Sequence, residues 1–217
     1  MQPKIHLIVC EGKSEWVYVR RLQRFLDSLP IPPNTFETPL RFVGPEHAAA
    51  KNGAFGKLLS SYNKARRDNK KARSIQVWAD FDLYHRNDGK CAEHYAAKTE
   101  GIPDFLFSFH NFEDFYALHF DGEHLALWRH YGGTTGRRHF TKPLHARDYR
   151  PEIERIFPGY TKGGLPADFV SWNSLRNLKA NLRHQPAASN PQNLRGFGSF
   201  AEFIIREVDR VYPGFLS

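Results

Sequence analysis

The chain has 217 residues, of which 41% are hydrophobic and 14% aromatic. That length supports one substantial core and leaves little room for two independent domains. Its two cysteines, Cys10 and Cys91, are too few for a disulfide framework or a cysteine-based zinc site. No run approaches the ~18 apolar residues of a membrane span, and the N-terminus lacks a signal-peptide pattern, so we expect a cytosolic protein.

Lysine and arginine outnumber aspartate and glutamate by 31 to 23, which gives a formal net charge of +8. The excess is clustered at 64–73, 137–142 and 176–183. Such clusters can bind a polyanion, although solvated helix faces are often equally basic. The basic clusters are a stronger indication of nucleic-acid binding when an acidic centre is also present. A phosphodiester enzyme needs cations to hold the phosphate backbone of its substrate and carboxylates to hold a metal ion. The candidate nucleic-acid ligands are Lys13, Lys64, Arg66, Arg67, Lys70, Arg137 and Arg138.

The first part of the chain alternates strand and helix patterns. The apolar run 4–9 predicts a buried strand ending at Glu11-Gly12, and Ser14 is a candidate N-cap for a helix that stops before Pro30. A strand at 40–43 and a helix over 55–69 follow, and then a strand at 74–79. This order predicts an α/β fold with a doubly wound, mainly parallel sheet.

The same alternation continues to about residue 125. A helix near 91–99 precedes an apolar run at 105–109 and a helix over 112–120. We therefore predict a catalytic core over 1–125. Residues 126–217 are expected to form a mostly helical extension that packs on this core rather than an independent domain. The helices predicted within it cover 172–183 and 199–211.

Three carboxylates follow two of the predicted strands. Glu11 comes after the first strand, and Asp80 and Asp82 come after the third. Because functional crevices of open parallel sheets lie at the carboxyl ends of the strands, we expect these side chains to converge and to bind magnesium. Alone, an Asp-x-Asp after a strand is at least as often a turn or helix cap, and Glu-Gly is weaker still. A metal site is indicated only by the two patterns together, Glu-Gly after the first strand and Asp-x-Asp after the third.

This combination resembles the Toprim superfamily, which pairs a glutamate after strand one with an Asp-x-Asp after strand three. Further segments can be compared: VCEGKSE at 9–15 with Tyr18, DFD at 80–82, NFEDF at 111–115, LHF at 118–120, YTK at 160–162 and Asn190-Pro191. Together they resemble the RloB-like branch of this superfamily, which is related to the overcoming-lysogenization-defect nucleases. The departures are Ser14 for threonine, Phe112 where proline is usual, Phe115 for tryptophan, and Ala79 before the acidic pair; none removes a carboxylate.

The resemblance implies a Toprim-type endonuclease that uses magnesium, or manganese in its place, to cleave DNA or RNA. RloB-like proteins also look like effectors of phage defence that act with a partner ATPase, and the sequence leaves homo-oligomer formation open. Implied roles are metal ligand or general base for Glu11 and metal ligand for Asp80 and Asp82. Glu113 would be a further ligand, and Lys162 would stabilise charge on the scissile phosphate. Without the resemblance, Glu113 would be interpreted as a carboxylate in the first turn of a helix and Lys162 as a surface lysine.

Two other classes of function fit parts of the pattern. A strand followed by Asp-x-Asp also opens haloacid-dehalogenase phosphatases, with Asp80 as nucleophile, but Leu83-Tyr84 does not continue that motif. The other alternative is a non-catalytic basic module that binds nucleic acid or a toxin partner. We interpret His119 as a buried structural histidine, and the scattered histidines do not favour a zinc enzyme. Gly12-Lys13-Ser14 is not a P-loop, because Leu7 stands where glycine is required.

Overall fold

A computed structural model of the chain describes most of the predicted core. The described residues are 4–30, 40–44, 55–70, 72, 74–81, 102, 105–134, 146–161, 163–185 and 196–217. The helix predicted near 91–99 lies outside them. The singled-out residues that also lie outside them are Asp82, Leu83, Tyr84, Cys91, Arg137, Arg138, Lys162, Asn190 and Pro191.

The described strands form one five-stranded parallel sheet in the order β2-β1-β3-β4-β5. This is one of the two common orders of doubly wound sheets. The prediction of an α/β fold with a doubly wound parallel sheet is therefore confirmed. The strands are β1 (Lys4–Cys10), β2 (Leu40–Val43), β3 (Ser74–Asp80), β4 (Phe105–Ser108) and β5 (Gly198–Ser199).

The described residues contain seven α-helices, of which two were not predicted. The helices are α1 (Lys13–Asp27), α2 (Phe55–Asp68), α3 (Phe112–Ala117), α4 (Gly122–Thr134), α5 (Ala146–Ile156), α6 (Trp172–Asn181) and α7 (Phe200–Val211). The unpredicted ones are α4 and α5. The other bounds match the predictions within a few residues, and α3 ends earlier than the predicted 112–120. Among the described helices, none has both the length and the apolar character needed to cross a membrane.

Both faces of β1 are buried, which explains its nearly continuous apolar sequence. Ile8 and Cys10 belong to the larger core cluster, which includes the apolar face of α1. Leu7 and Val9 point the other way, into a second cluster that contains α2. Because successive side chains of a strand alternate between faces, α1 and α2 lie on opposite sides of the sheet.

Helix α1 begins two residues earlier than predicted. Gly12, with extended backbone angles, is its N-cap, so the assignment of Ser14 as N-cap is wrong. Apart from Glu15, its buried face consists of apolar residues at helical spacing, and the helix ends before Pro30, as predicted. Those buried residues include Tyr18, Val19, Leu22 and Leu26.

Residues after 125 share the core of the preceding part. The rings of Trp78 in β3 and Phe200 in α7 stack with centroids 3.7 Å apart. This part also supplies β5, which pairs with β4 at one edge of the sheet. Ile153, Phe157 and Leu175 lie in the same cluster as Ile8. The predicted extension thus contributes to the sheet itself, through a strand that the sequence did not predict.

Candidate acidic site at the carboxyl end of the sheet

The two central strands that carry the predicted acidic residues are direct neighbours. β1 and β3 pair in parallel, with Cys10 opposite Trp78. The chain leaves β1 towards β2 on one side and leaves β3 towards β4 on the other. In doubly wound folds a crevice forms at this reversal of strand order, outside the carboxyl ends of the strands. Glu11 directly follows β1, and Asp80 is the last residue of β3.

Glu11 and Asp80 are in contact through a hydrogen bond. The Glu11 amide donates to the Trp78 carbonyl at 2.9 Å, which extends the β1–β3 pairing by one residue. The Asp80 amide in turn donates to Glu11 Oε2 at 2.8 Å. Glu11 is buried, with 7% of its surface exposed. The structure therefore places the Glu11 side chain against the backbone of Asp80, whereas Asp82 lies outside the described residues.

Glu15 is a second buried acid beside Glu11, and the sequence did not single it out as a site residue. It is 4% exposed. Its side chain folds back over Gly12, since a Cβ added to Gly12 would lie 2.7 Å from Glu15 Oε2. The available signal was its position three residues after the N-cap, where glutamate commonly reaches back to the cap.

The buried acid also affects the thiol at the end of β1. Burial raises the pKa of the Cys10 thiol, and the negative charge of Glu15 raises it further. Cys10 is a free cysteine in the core. A thiol with a raised pKa stays protonated at neutral pH and is a poor nucleophile. Cys10 therefore packs as a small apolar side chain rather than taking part in catalysis.

Glu113 does not join Glu11 and Asp80 as a third ligand. It lies in the first turn of α3, where Asn111 is the N-cap and accepts from the Asp114 amide at 3.0 Å. Its Oε1 accepts a hydrogen bond of 2.8 Å from the Tyr160 hydroxyl. Among the residues that the structure describes, no three histidine, cysteine or acidic side chains are grouped so that they could hold a metal ion. The arrangement favours a structural role for Glu113.

The segment around the predicted Lys162 docks beside the start of α1. Gly163 has a positive φ of 71°, and a Cβ there would meet Lys13 Cδ at 3.4 Å. Arg21 donates to the Leu165 carbonyl at 3.1 Å. Lys162 itself is not described, but Gly163, which follows it, lies beside Lys13, two residues after Glu11. Lys13, the first residue of α1, is exposed at this place.

The predicted basic cluster on α2 lies away from the acidic pair. Lys64, Arg66, Arg67 and Lys70 are all exposed. They lie at the C-terminal end of α2, just before β3 begins at Ser74. Since β3 has seven residues, this end of the sheet is roughly 20 Å from Asp80. Arg137 and Arg138 lie outside the described residues.

His119 has the structural role that the sequence predicted. It is 3% exposed. Its Nδ1 lies 3.1 Å from the Phe115 carbonyl and its Nε2 lies 2.8 Å from the Tyr18 hydroxyl. Because a carbonyl can only accept, Nδ1 carries the proton and Nε2 accepts from Tyr18. Burial lowers the pKa of His119 to about 4, so the imidazole is neutral.

Comparison with known proteins adds no assignment. No protein-family model matches the sequence, and neither the curated proteins nor the solved structures contain a match. The resemblance to RloB-like Toprim proteins therefore remains a prediction from the motifs.

Proposed function

We propose that the chain is a metal-dependent nuclease that cleaves phosphodiester bonds in DNA or RNA at the site formed by Glu11 and Asp80. The supporting observation is the hydrogen bond from the Asp80 amide to Glu11 Oε2 at the reversal of strand order. It fixes two acidic residues from distant parts of the sequence at the one edge where a doubly wound sheet offers a crevice.

The donor atoms at this place fit magnesium. Carboxylate oxygens are its preferred protein ligands, and one or two carboxylates with water and substrate phosphate are a common set. Glu11 and Asp80 would hold the ion, and Asp82 would add to them from two residues beyond Asp80. When bound, the ion would offset negative charge on the phosphate and activate a water molecule.

The residues around the pair have separate tasks in this proposal. Asp80 supplies a carboxylate and, through its amide, orients Glu11. Glu11 acts as a ligand or takes the proton of the attacking water. Lys13 is exposed at the first position of α1 and offers a cation for the substrate phosphate. Lys162 would add a second cation, because Gly163, the next residue, lies beside Lys13.

The contact between Glu11 and Asp80 also bears on the phosphatase alternative. A haloacid-dehalogenase mechanism uses Asp80 as nucleophile and assigns no task to Glu11. A buried glutamate that touches this aspartate is better accommodated by a shared ligand site. The partner ATPase and the setting in phage defence have no support beyond the sequence resemblance.

The direct test is cleavage of supercoiled plasmid and of total RNA with magnesium or manganese. We expect cleavage that chelation by EDTA abolishes and that Glu11→Gln and Asp82→Asn each reduce by about 10²-fold or more. Glu154→Gln, at an exposed glutamate of α5 that pairs with Arg150, is the matched control and should retain activity. Cleavage by both acidic variants at the parental rate would overturn the proposal, and an aspartyl-phosphate trapped at Asp80 would favour the phosphatase.

A further inference from the structure

A groove lined by arginines runs between α1 and the edge strand β2. Its volume is about 600 Å³, and its lining includes Trp16, Arg20 and Arg24 from α1 and Arg41 from β2. All three arginines are exposed. Within the part of the chain that the structure describes, none of them forms an ion pair. Asp27 is the one acid among the described lining residues, so the lining has three positive charges against one negative charge.

The groove starts close to the proposed catalytic site. Lys13 precedes Arg20 by seven residues and Arg24 by eleven, which are nearly whole numbers of helical turns. The three cations therefore lie along one side of α1. The helix begins directly after Glu11-Gly12, and the rise from Lys13 to Arg24 is about 16 Å. A chain of phosphates leaving the acidic pair along α1 would meet one cation after another.

Trp16 holds one of these cations in place. The Arg20 guanidinium lies over the Trp16 ring, 4.7 Å from its centroid. The indole is itself fixed, since Nε1 donates to the Gly44 carbonyl at 3.2 Å. Gly44 is needed for this approach, because a Cβ there would lie 3.1 Å from Trp16 Cδ1. A guanidinium that is already positioned loses less conformational entropy when it binds a phosphate.

Although β2 is an edge strand, the groove is poorly suited to binding a further β-strand at its centre. The Phe42 amide donates to Gln23 Oε1 at 2.5 Å, and Gln23 Nε2 donates to Asp27 Oδ1 at 2.7 Å. The side chain of Gln23 thus occupies a donor that an incoming peptide strand would use. What the groove presents to a ligand is its guanidinium groups and an aromatic ring.

We propose that this groove binds the phosphate backbone of a single-stranded stretch of nucleic acid that leads away from Glu11 and Asp80. Cations at intervals along a groove, combined with an aromatic side chain, are the usual means of binding single strands without sequence preference. Naming this occupant rests on the proposed nuclease function. The binding of a polyanion by the groove does not depend on catalysis.

The test is fluorescence anisotropy of a labelled single-stranded oligonucleotide of about 12 nucleotides, with EDTA present so that binding is measured without cleavage. The double variant Arg20→Gln/Arg24→Gln is compared with Arg150→Gln/Arg155→Gln. The control pair lies on α5, where the arginines bond Glu154 and Glu152, and it removes the same charge. Arg41→Gln, at an exposed strand position, probes the opposite wall and keeps the test open if the α1 variant fails to fold.

We expect the α1 double variant to bind about tenfold more weakly and to lower the slope of log affinity against log salt by about 1.4, or about 0.7 per lost phosphate contact. Arg41→Gln should weaken binding in the same direction, and the control pair should stay within about twofold. Equal weakening in the control pair, no weakening in either groove variant, or tighter binding of a duplex of equal length would each overturn the proposal.

The same assay separates this proposal from the nuclease function. A parent protein that binds through the groove in EDTA but never cleaves with magnesium or manganese would refute the nuclease function and support the groove. If the parent and the groove variants cleave equally well and bind equally well, the groove proposal is refuted and the nuclease function stands.

Discussion

The amide of Asp80 donates a hydrogen bond of 2.8 Å to the side chain of Glu11, across 69 positions of sequence. The acceptor oxygen of Glu11 contributes to stability, and its negative charge is what the proposed catalysis needs. Substitutions of Glu11 can separate these two contributions. Glu11→Gln keeps an oxygen acceptor for the amide, whereas Glu11→Ala removes it. We expect Glu11→Ala to lower the free energy of unfolding by about 1–3 kcal/mol and Glu11→Gln to lower it by less than about 1 kcal/mol. Urea denaturation followed by circular dichroism measures both.

Cleavage should not follow the same order. If the carboxylate charge is what matters, both variants lose activity although only one is markedly less stable. Retention of cleavage by Glu11→Gln would mean that the side chain acts only as a hydrogen-bond acceptor.

Glu113 should prove structural rather than catalytic. Glu113→Gln retains an acceptor for the Tyr160 hydroxyl, so we expect cleavage within a few-fold of the parent, in contrast to Asp80→Asn. Tyr160→Phe removes the donor from a buried carboxylate and should cost about 1–3 kcal/mol of stability. Initial cleavage rates and urea midpoints decide the matter. A loss of activity in Glu113→Gln as large as that in Asp80→Asn would restore the ligand role inferred from the motif.

Gly163 should not tolerate a side chain. Its φ of 71° lies in the left-handed region, which side chains rarely adopt, while the added Cβ would make an ordinary contact with Lys13 Cδ at 3.4 Å. We expect Gly163→Ala to destabilise the fold by about 1 kcal/mol. The control is Gly122→Ala at the start of α4, where a Cβ meets nothing within 4 Å and should be neutral or stabilising. Thermal unfolding compares the two, and an equal melting temperature would refute the expected strain.

Acid should weaken the fold through His119. The pKa of His119 is lowered from 6.5 to about 4 by burial, so the unfolded chain binds the proton more tightly than the folded one. The stabilising effect is therefore complete above pH 6.5 and is lost as the pH falls towards 4. Its full size is about 3 kcal/mol.

The measurement is the free energy of unfolding against pH for the parent and for His119→Gln. The parent curve should fall more steeply between pH 6.5 and 4 than the variant curve. His130→Gln, at an exposed position, should leave the parental slope unchanged. Parallel curves for the parent and His119→Gln would contradict the assignment.

The central strands were predictable because each is a short apolar run that must be buried on both faces. Ile8 and Val9 alternate between two cores, which only a sheet covered on both sides permits. The neighbouring positions of Glu11 and Asp80 followed from the same reasoning, since parallel strands end at one edge.

Strand β5, helix α5 and the partner of Glu113 were not predictable, because they depend on contacts between residues that are distant in sequence. β5 has two residues and no strand pattern; it exists because Gly198 and Ser199 reach the edge of β4. Helix α5 contains Pro151, which normally indicates a helix end, but Ile153 and Ile156 are buried in the core and packing outweighs that preference. The partner of Glu113 could not be foreseen, because Tyr160 comes from a loop 47 positions away.

The most direct test of the Glu11–Asp80 site is manganese binding, measured by the loss of the free-ion electron paramagnetic resonance signal during titration. The parent should bind the ion stoichiometrically, and Asp80→Asn and Glu11→Gln should each weaken this binding by at least about tenfold, while Glu113→Gln should not. Equal manganese affinity in the parent, Asp80→Asn and Glu11→Gln would contradict a shared metal site.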